Sequence, residues 1–215
     1  MVATNAPVKL LIEWAFLVRD YQVSGEPRWA DVDGFDIETT SSANPRYDLS
    51  QPTLQAMFQA VLTARFKLTF HWEAKDLPVY ALVPDQQLHL LPGDCAEQAP
   101  ADTPCPSIRV SKYAQIIGNN ATVTNLAMAL TAFAGRTVLD KTGISGGYNF
   151  TLDWTKYLQS PPSLAGQAPS NSYDPSSVQP AIASALRSEL GLKLQADRGP
   201  VEILVIDRLE APSDN

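Results

Sequence analysis

An α+β fold laid out as a tandem duplication is predicted for this chain by three observations. Apolar residues recur at helical spacing in four segments, each helical segment leads into segments with strand character, and these landmarks come in the same order in both halves. With 45% apolar residues, the 215-residue chain has enough material for a packed core.

The first helical stripe is Val8, Leu11, Ile12 and Ala15, opened by Ala3-Thr4-Asn5. A glycine-containing turn and the strand Phe35-Asp36-Ile37-Glu38 follow. The second helix is predicted over 52–66, where Leu54, Met57, Phe58, Val61 and Leu62 share a face and Ser50 before Pro52 supplies a start signal. It runs into the alternating strand Arg65 to Trp72, a polar turn, and Leu77 to Val83, which together predict a β-hairpin.

In the second half, Ile108 to Ile117 reads as a strand, and Ala121-Thr122-Val123 opens the stripe Leu126, Ala129, Leu130 and Phe133. Gly143-Ile144-Ser145-Gly146-Gly147 reads as a hairpin turn, since no helix follows it to cradle an anion. The strand Tyr148 to Asp153 comes next. Pro180, Ile182, Ala185, Leu186 and Leu190 mark the last helix, followed by Leu192-Lys193-Leu194, a turn, and Gly199 to Ile206 as a second hairpin. Leu77-Pro78-Val79-x-x-Leu82-Val83 is echoed by Gly199-Pro200-Val201-x-x-Leu204-Val205.

This pattern divides the chain into a first α+β copy at 1–88, a linker at 89–106 rich in Pro, Ala and Gln, and a second copy at 107–215 with a loop insertion at 157–179. The first copy begins at its helix with no strand before it. An uncovered sheet edge is normally concealed, so the sequence predicts an adapted edge or a homodimer contact there.

The net charge of −7 repels nucleic acid and anionic membrane surfaces at long range, leaving a small molecule or a protein as the partner. No apolar run reaches the length of a membrane span, and the opening residues lack the basic and apolar regions of a signal peptide.

Nine residues separate Cys95 from Cys105 in a stretch without periodicity, which suits a local disulfide in an oxidising compartment better than a metal pair. The sharpest polar constellation is Asp31-Val32-Asp33-Gly34-Phe35-Asp36. Clustered carboxylates on a turn suit calcium, yet Phe35, Asp36 and Ser42 stand where a calcium-binding EF-hand loop needs an oxygen ligand, a glycine and a second oxygen ligand. A tight turn entering a strand accounts for the same residues, and both readings stay open.

There is no Gly-x-Ser-x-Gly elbow and no His-Glu-x-x-His. Of the two histidines, His71 lies on the polar face of its strand and is the better candidate base, while His89 reads as a loop residue. Trp14 and Trp72 fall in regular elements and are expected to pack, whereas Trp29 and Trp154 lie at a turn and a strand end and are candidate ligand contacts.

Tyr21-Gln22-Val23-Ser24-Gly25, Phe35-Asp36-Ile37, Arg65-Phe66-Lys67-Leu68, Leu77 to Val83, Asp140-Lys141-Thr142-Gly143, Tyr148 to Leu152 and Gly199 to Asp207 resemble a family of uncharacterised proteins abundant in soil acidobacteria. The resemblance covers nearly the whole chain. It implies a periplasmic or secreted location; some members are fused to membrane metallopeptidases of the beta-lactam-sensor type, and no activity is implied. Members usually carry a signal peptide and one or two strands before the point where this sequence starts. The segment Leu126 to Leu152 also looks like the small α+β modules at the periplasmic ends of secretins and TonB-dependent receptors, a likeness of fold alone.

The leading functional expectation is a non-catalytic extracytoplasmic module binding a ligand or partner between its two copies, with Trp29 and the acidic turn at the rim. The alternative is a hydrolase of small esters or lactones, in which calcium held by Asp31, Asp33 and Asp36 polarises the carbonyl.

Overall fold

The computed structural model describes residues 2–38, 51–85, 87–95, 105–111, 114–158 and 175–212. Ser50 and most of the two proline-rich stretches, 96–104 and 159–174, lie outside the described residues. The fold is α+β with largely antiparallel sheets. It divides into two units, Met1–Asp76 with Pro200–Asn215, and Leu77–Gly199.

In the first unit, β1 (Val2–Pro7) leads directly into α1 (Val8–Phe16). Pro7 can stand at the helix start because the first turn has no use for its missing N–H. Val8, Leu11, Ile12 and Ala15 are buried, as the helical stripe requires. Leu17, left-handed at φ 54, ends the helix, and its N–H bonds to the Glu13 carbonyl. There follow β2 (Val23–Ser24), one turn of α2 (Trp29–Val32), β3 (Gly34–Glu38) and α3 (Gln51–Phe66). Antiparallel β1–β3 pairing, with a register shift between Ala3 and Ala6, makes a two-stranded sheet. The core gathers Val8, Leu11, Ile12, Phe58, Leu62, Phe66, Leu204 and Ile206, and burying each large side chain contributes about 1.5 to 3 kcal/mol.

The second unit holds β5 (Leu91–Pro92), β6 (Ser107–Ser111), β7 (Gln115–Ala121), α4 (Val123–Ala134), β8 (Val138–Asp140), β9 (Tyr148–Asp153) and α5 (Pro175–Ala185). Helix α4 opens on a capping box: Thr122 Oγ1 accepts the Asn125 N–H at 3.1 Å and Asn125 Oδ1 accepts the Thr122 N–H at 3.2 Å, an arrangement that contributes about 1 kcal/mol. It closes on Gly135 at φ 70. Helix α5 continues as a π-turn over Leu186–Leu190, ended by Gly191 at φ 70. The strand order β5-β9-β7-β6 forms an antiparallel sheet, and the core centres on Leu126, Leu130, Leu152, Trp154, Ile182 and Leu186.

Two long strands, β4 (Thr69–Pro84) and β10 (Leu192–Arg208), replace the two expected hairpins. A tight hairpin needs a residue at positive φ, and none of Glu73 to Asp76 or Asp197 to Gly199 adopts one, so each strand runs straight on. The unit boundaries fall inside these strands, not at the expected linker. In the first unit β2 pairs in parallel with β10, Val23 opposite Leu204; in the second β8 pairs in parallel with β4, Val138 opposite Tyr80.

Three further expectations are corrected. A strand, β1, does precede the first helix. The Gly143 to Gly147 turn joins β8 and β9, which belong to different sheets, so it is not a hairpin turn. Helix α5 starts at Pro175, within the expected 157–179 insertion.

Candidate functional site

The acidic turn is built into the β1–β3 sheet. Asn5 sits at φ 50 within the register shift of β1, and its N–H donates to Asp36 Oδ1 at 2.8 Å. A Cβ on Gly34 would overlap the Asn5 side-chain oxygen, so any larger residue there requires the Asn5 side chain to move. The second unit repeats this arrangement. Asn120 sits at φ 47 in the register shift of β7, its N–H donates to Asn149 Oδ1 at 2.8 Å, and a Cβ on Gly147 would overlap its side-chain oxygen. The sequence carried the signal in two places: Asn5-Ala6-Pro7-Val8 matches Asn120-Ala121-Thr122-Val123, and Gly34-Phe35-Asp36 matches Gly147-Tyr148-Asn149.

Two of the three carboxylates considered for calcium have partners elsewhere. Asp36 accepts the Asn5 N–H, and Asp31 reaches Lys9 Nζ at 3.4 Å. Asp33 is the residue after α2, its N–H bonded to the Trp29 carbonyl at 2.8 Å. Among the described residues, no group of three or more His, Cys, Asp or Glu is placed to hold a metal ion.

Asp31 belongs instead to a cluster centred on Lys9, whose Nζ lies 2.7 Å from Asp20 and 2.8 Å from Glu26. Burial disfavours the ammonium, but the hydrogen bonds to Asp20 and Glu26 outweigh it and hold the Lys9 pKa above the ordinary lysine value. On the same helix, Glu13 has a raised pKa, first through burial and then through the negative charge of Asp20.

His71 has a partner, which the sequence did not reveal. Its Nδ1 lies 2.9 Å from Asp207 Oδ1, with both side chains about half exposed. A carboxylate on an imidazole can orient a base, but a pair this open to water contributes under about 1 kcal/mol as an ion pair. No local signal could join two residues 136 positions apart. His89 is exposed, and its N–H bonds to the Leu190 carbonyl.

The four tryptophans differ in exposure. Trp154 is 2% exposed, packed edge-on to Phe133 in the second core, and cannot meet a ligand from solvent. Trp29 is half-buried, stacked on Phe66 with centroids 6.5 Å apart and edge-on to Phe35. Trp72 is 46% exposed and closes a three-ring cluster with Phe16 and Phe70, the centroids 4.6 to 6.5 Å apart. Trp14, equally exposed, leans on Phe58.

Cys95 and Cys105 form a disulfide with Cα atoms 5.7 Å apart. Their loop follows β5 and precedes β6, the two outer strands of the second unit's sheet. A polar cluster unmarked in the sequence lies at the end of β9. Asp153 accepts from Thr155 and Gln115, its own N–H donates to Glu189 Oε2 at 2.9 Å, and Glu189 pairs with Lys156. Burial raises the Asp153 pKa, but those bonds outweigh it and leave the pKa below the ordinary value.

No helix among the described residues is long and apolar enough to cross a membrane. No curated protein and no solved structure matches the chain. A family described as a protein of unknown function, DUF3738, matches residues 9–209. That match spans nearly the whole chain, both units included, and the chain belongs to the DUF3738 family.

Proposed function

We propose that this chain is a duplicated, non-catalytic extracytoplasmic module that binds a ligand or a protein partner. The duplication is supported by the repeated latch of Asn5 with Asp36 and Asn120 with Asn149, and by the matched parallel pairings of β2 with β10 and β8 with β4. The Cys95–Cys105 disulfide supports an oxidising compartment.

The observation that carries the binding reading is the surface ring cluster of Phe16, Phe70 and Trp72. A half-exposed indole braced by two partly buried rings can anchor an interface, since a rigid ring buries a large area at little entropic cost. The acidic turn supports it from the other side, because Asp31 and Asp36 are already engaged in holding the fold.

The test is tryptophan fluorescence of wild type and Trp72→Ala against panels of soluble oligosaccharides and short peptides, with ester and lactone turnover assayed in the same buffers. A saturable change that Trp72→Ala abolishes without altering thermal stability supports the module. Turnover that His71→Ala abolishes contradicts it.

A further inference from the structure

Charge is divided unevenly between the two units. Residues 1–76 with 200–215 carry 14 carboxylates against 8 Lys and Arg, a net −6, whereas 77–199 carry 9 against 8, a net −1. Among the described residues the three exposed aromatic side chains, Trp14, Tyr21 and Trp72, also belong to the first unit. On α1 the two features share a stripe: Lys9, Glu13 and Phe16 stand at i, i+4 and i+7, so the acidic cluster around Lys9 and the rings beside Phe16 occupy one helix face, about 10 Å apart along its axis. In that cluster Asp20, Glu26 and Asp31 surround Lys9, and Glu13 feels both Asp20 and Arg19. Four carboxylates against two cations leave a net negative charge on the stripe that ends at the rings. The cations nearest to Phe70 and Trp72 in sequence are engaged, Lys67 Nζ with the Ala64 carbonyl at 2.8 Å and Lys75 with Glu73 at 3.5 Å.

We propose that this face docks a basic, arginine-bearing segment of another protein, one guanidinium stacked on the exposed part of the Trp72 indole and a second cation facing Glu13 and Asp20. A guanidinium is planar and weakly hydrated, so it lies on an indole better than an ammonium does. Phe16, Phe70 and Trp72 pack on one another with centroids 4.6 to 6.5 Å apart, which leaves no cage between them for a small cation. The separation of about 10 Å instead matches two side chains about three residues apart on an extended strand. An acidic or anionic partner would meet the net negative charge of the stripe. The inference rests on the binding reading of the same ring cluster and names the partner's chemistry.

The test uses four labelled Gly/Ser peptides of equal length, carrying arginines, lysines, glutamates or no charge at matched positions, titrated by fluorescence anisotropy in about 0.15 M salt. Wild type should bind the arginine peptide about tenfold more tightly than the uncharged one and more tightly than the lysine one. Trp72→Ala should weaken arginine-peptide binding about fivefold or more and remove the preference for arginine over lysine, with Trp72→Phe in between. Glu13→Gln with Asp20→Asn should weaken both basic peptides by about threefold and leave the uncharged one unchanged. Thermal melts identify any variant that fails to fold, and the Trp72→Phe and Glu13→Gln/Asp20→Asn arms each stand without Trp72→Ala. Trp72-dependent binding of the uncharged or the glutamate peptide at least as tight as that of the arginine peptide overturns this proposal and leaves the binding module standing. A folded Trp72→Ala that binds the arginine peptide as wild type does also overturns it, and the absence of Trp72-dependent binding to any peptide or oligosaccharide overturns both.

Discussion

The N–H of Asn5 donates to the Asp36 carboxylate at 2.8 Å, and the N–H of Asn120 donates to the Asn149 side chain at the same distance. A carboxylate and an amide serve one purpose at matched positions. What the position needs is an acceptor oxygen, and the negative charge is incidental to it.

Asp36→Asn should therefore cost less than about 0.5 kcal/mol, while Asp36→Ala should cost about 1 kcal/mol through the lost acceptor. Urea unfolding of the two variants checks the difference.

Gly34→Ala and Gly147→Ala should each destabilise by about 1 to 3 kcal/mol, because the added methyl meets an Asn side chain held in a left-handed backbone. Gly34→Ala should cost less in an Asn5→Gly background, where the nearest clashing atoms are gone. A double-mutant cycle by thermal unfolding measures that coupling.

Such glycines show how much was legible. The four helical stripes and the α+β class follow from apolar spacing, which local sequence records well. The hairpins were misread because a polar stretch in an alternating segment looks like a turn unless its backbone angles are known. Glu73 to Asp76 is polar because that part of β4 is largely exposed, and the strand does not turn there. At the acidic turn α2 ends and β3 begins between Asp31 and Asp36, so residues close in sequence take different partners, Lys9 for Asp31 and the Asn5 N–H for Asp36. The pairing of His71 with Asp207 depends on two distant strands becoming neighbours, which composition does not encode.

Trp154→Ala should cost about 3 to 5 kcal/mol as a core truncation. Trp72→Ala should cost far less, because much of its ring already faces water. Chemical denaturation of both variants separates the packing tryptophan from the surface one.

Replacing both cysteines by alanine should lower stability by roughly 2 to 3 kcal/mol at most, the range for closing so short a loop. Adding reductant to wild type should reproduce the loss, and it should leave the double variant unchanged.

Glu13 has a folded-state pKa above its unfolded value, so the folded protein holds that proton more tightly. The ionised carboxylate opposes folding, and this opposition develops as pH rises from the unfolded pKa through the folded one. Glu13→Gln should stabilise the chain near pH 7, with the gain fading as pH falls through the folded pKa and gone below about 4. Thermal melts across that range report the sign.

The most direct test of the account is the unfolding free energy of Asp36→Asn beside wild type, each measured with calcium and with chelator. If Asp36 is a structural acceptor, the two proteins should agree within about 0.5 kcal/mol and neither should respond to calcium. A wild type that calcium stabilises, with the response lost in Asp36→Asn, would contradict the structural reading and make the acidic turn a metal site.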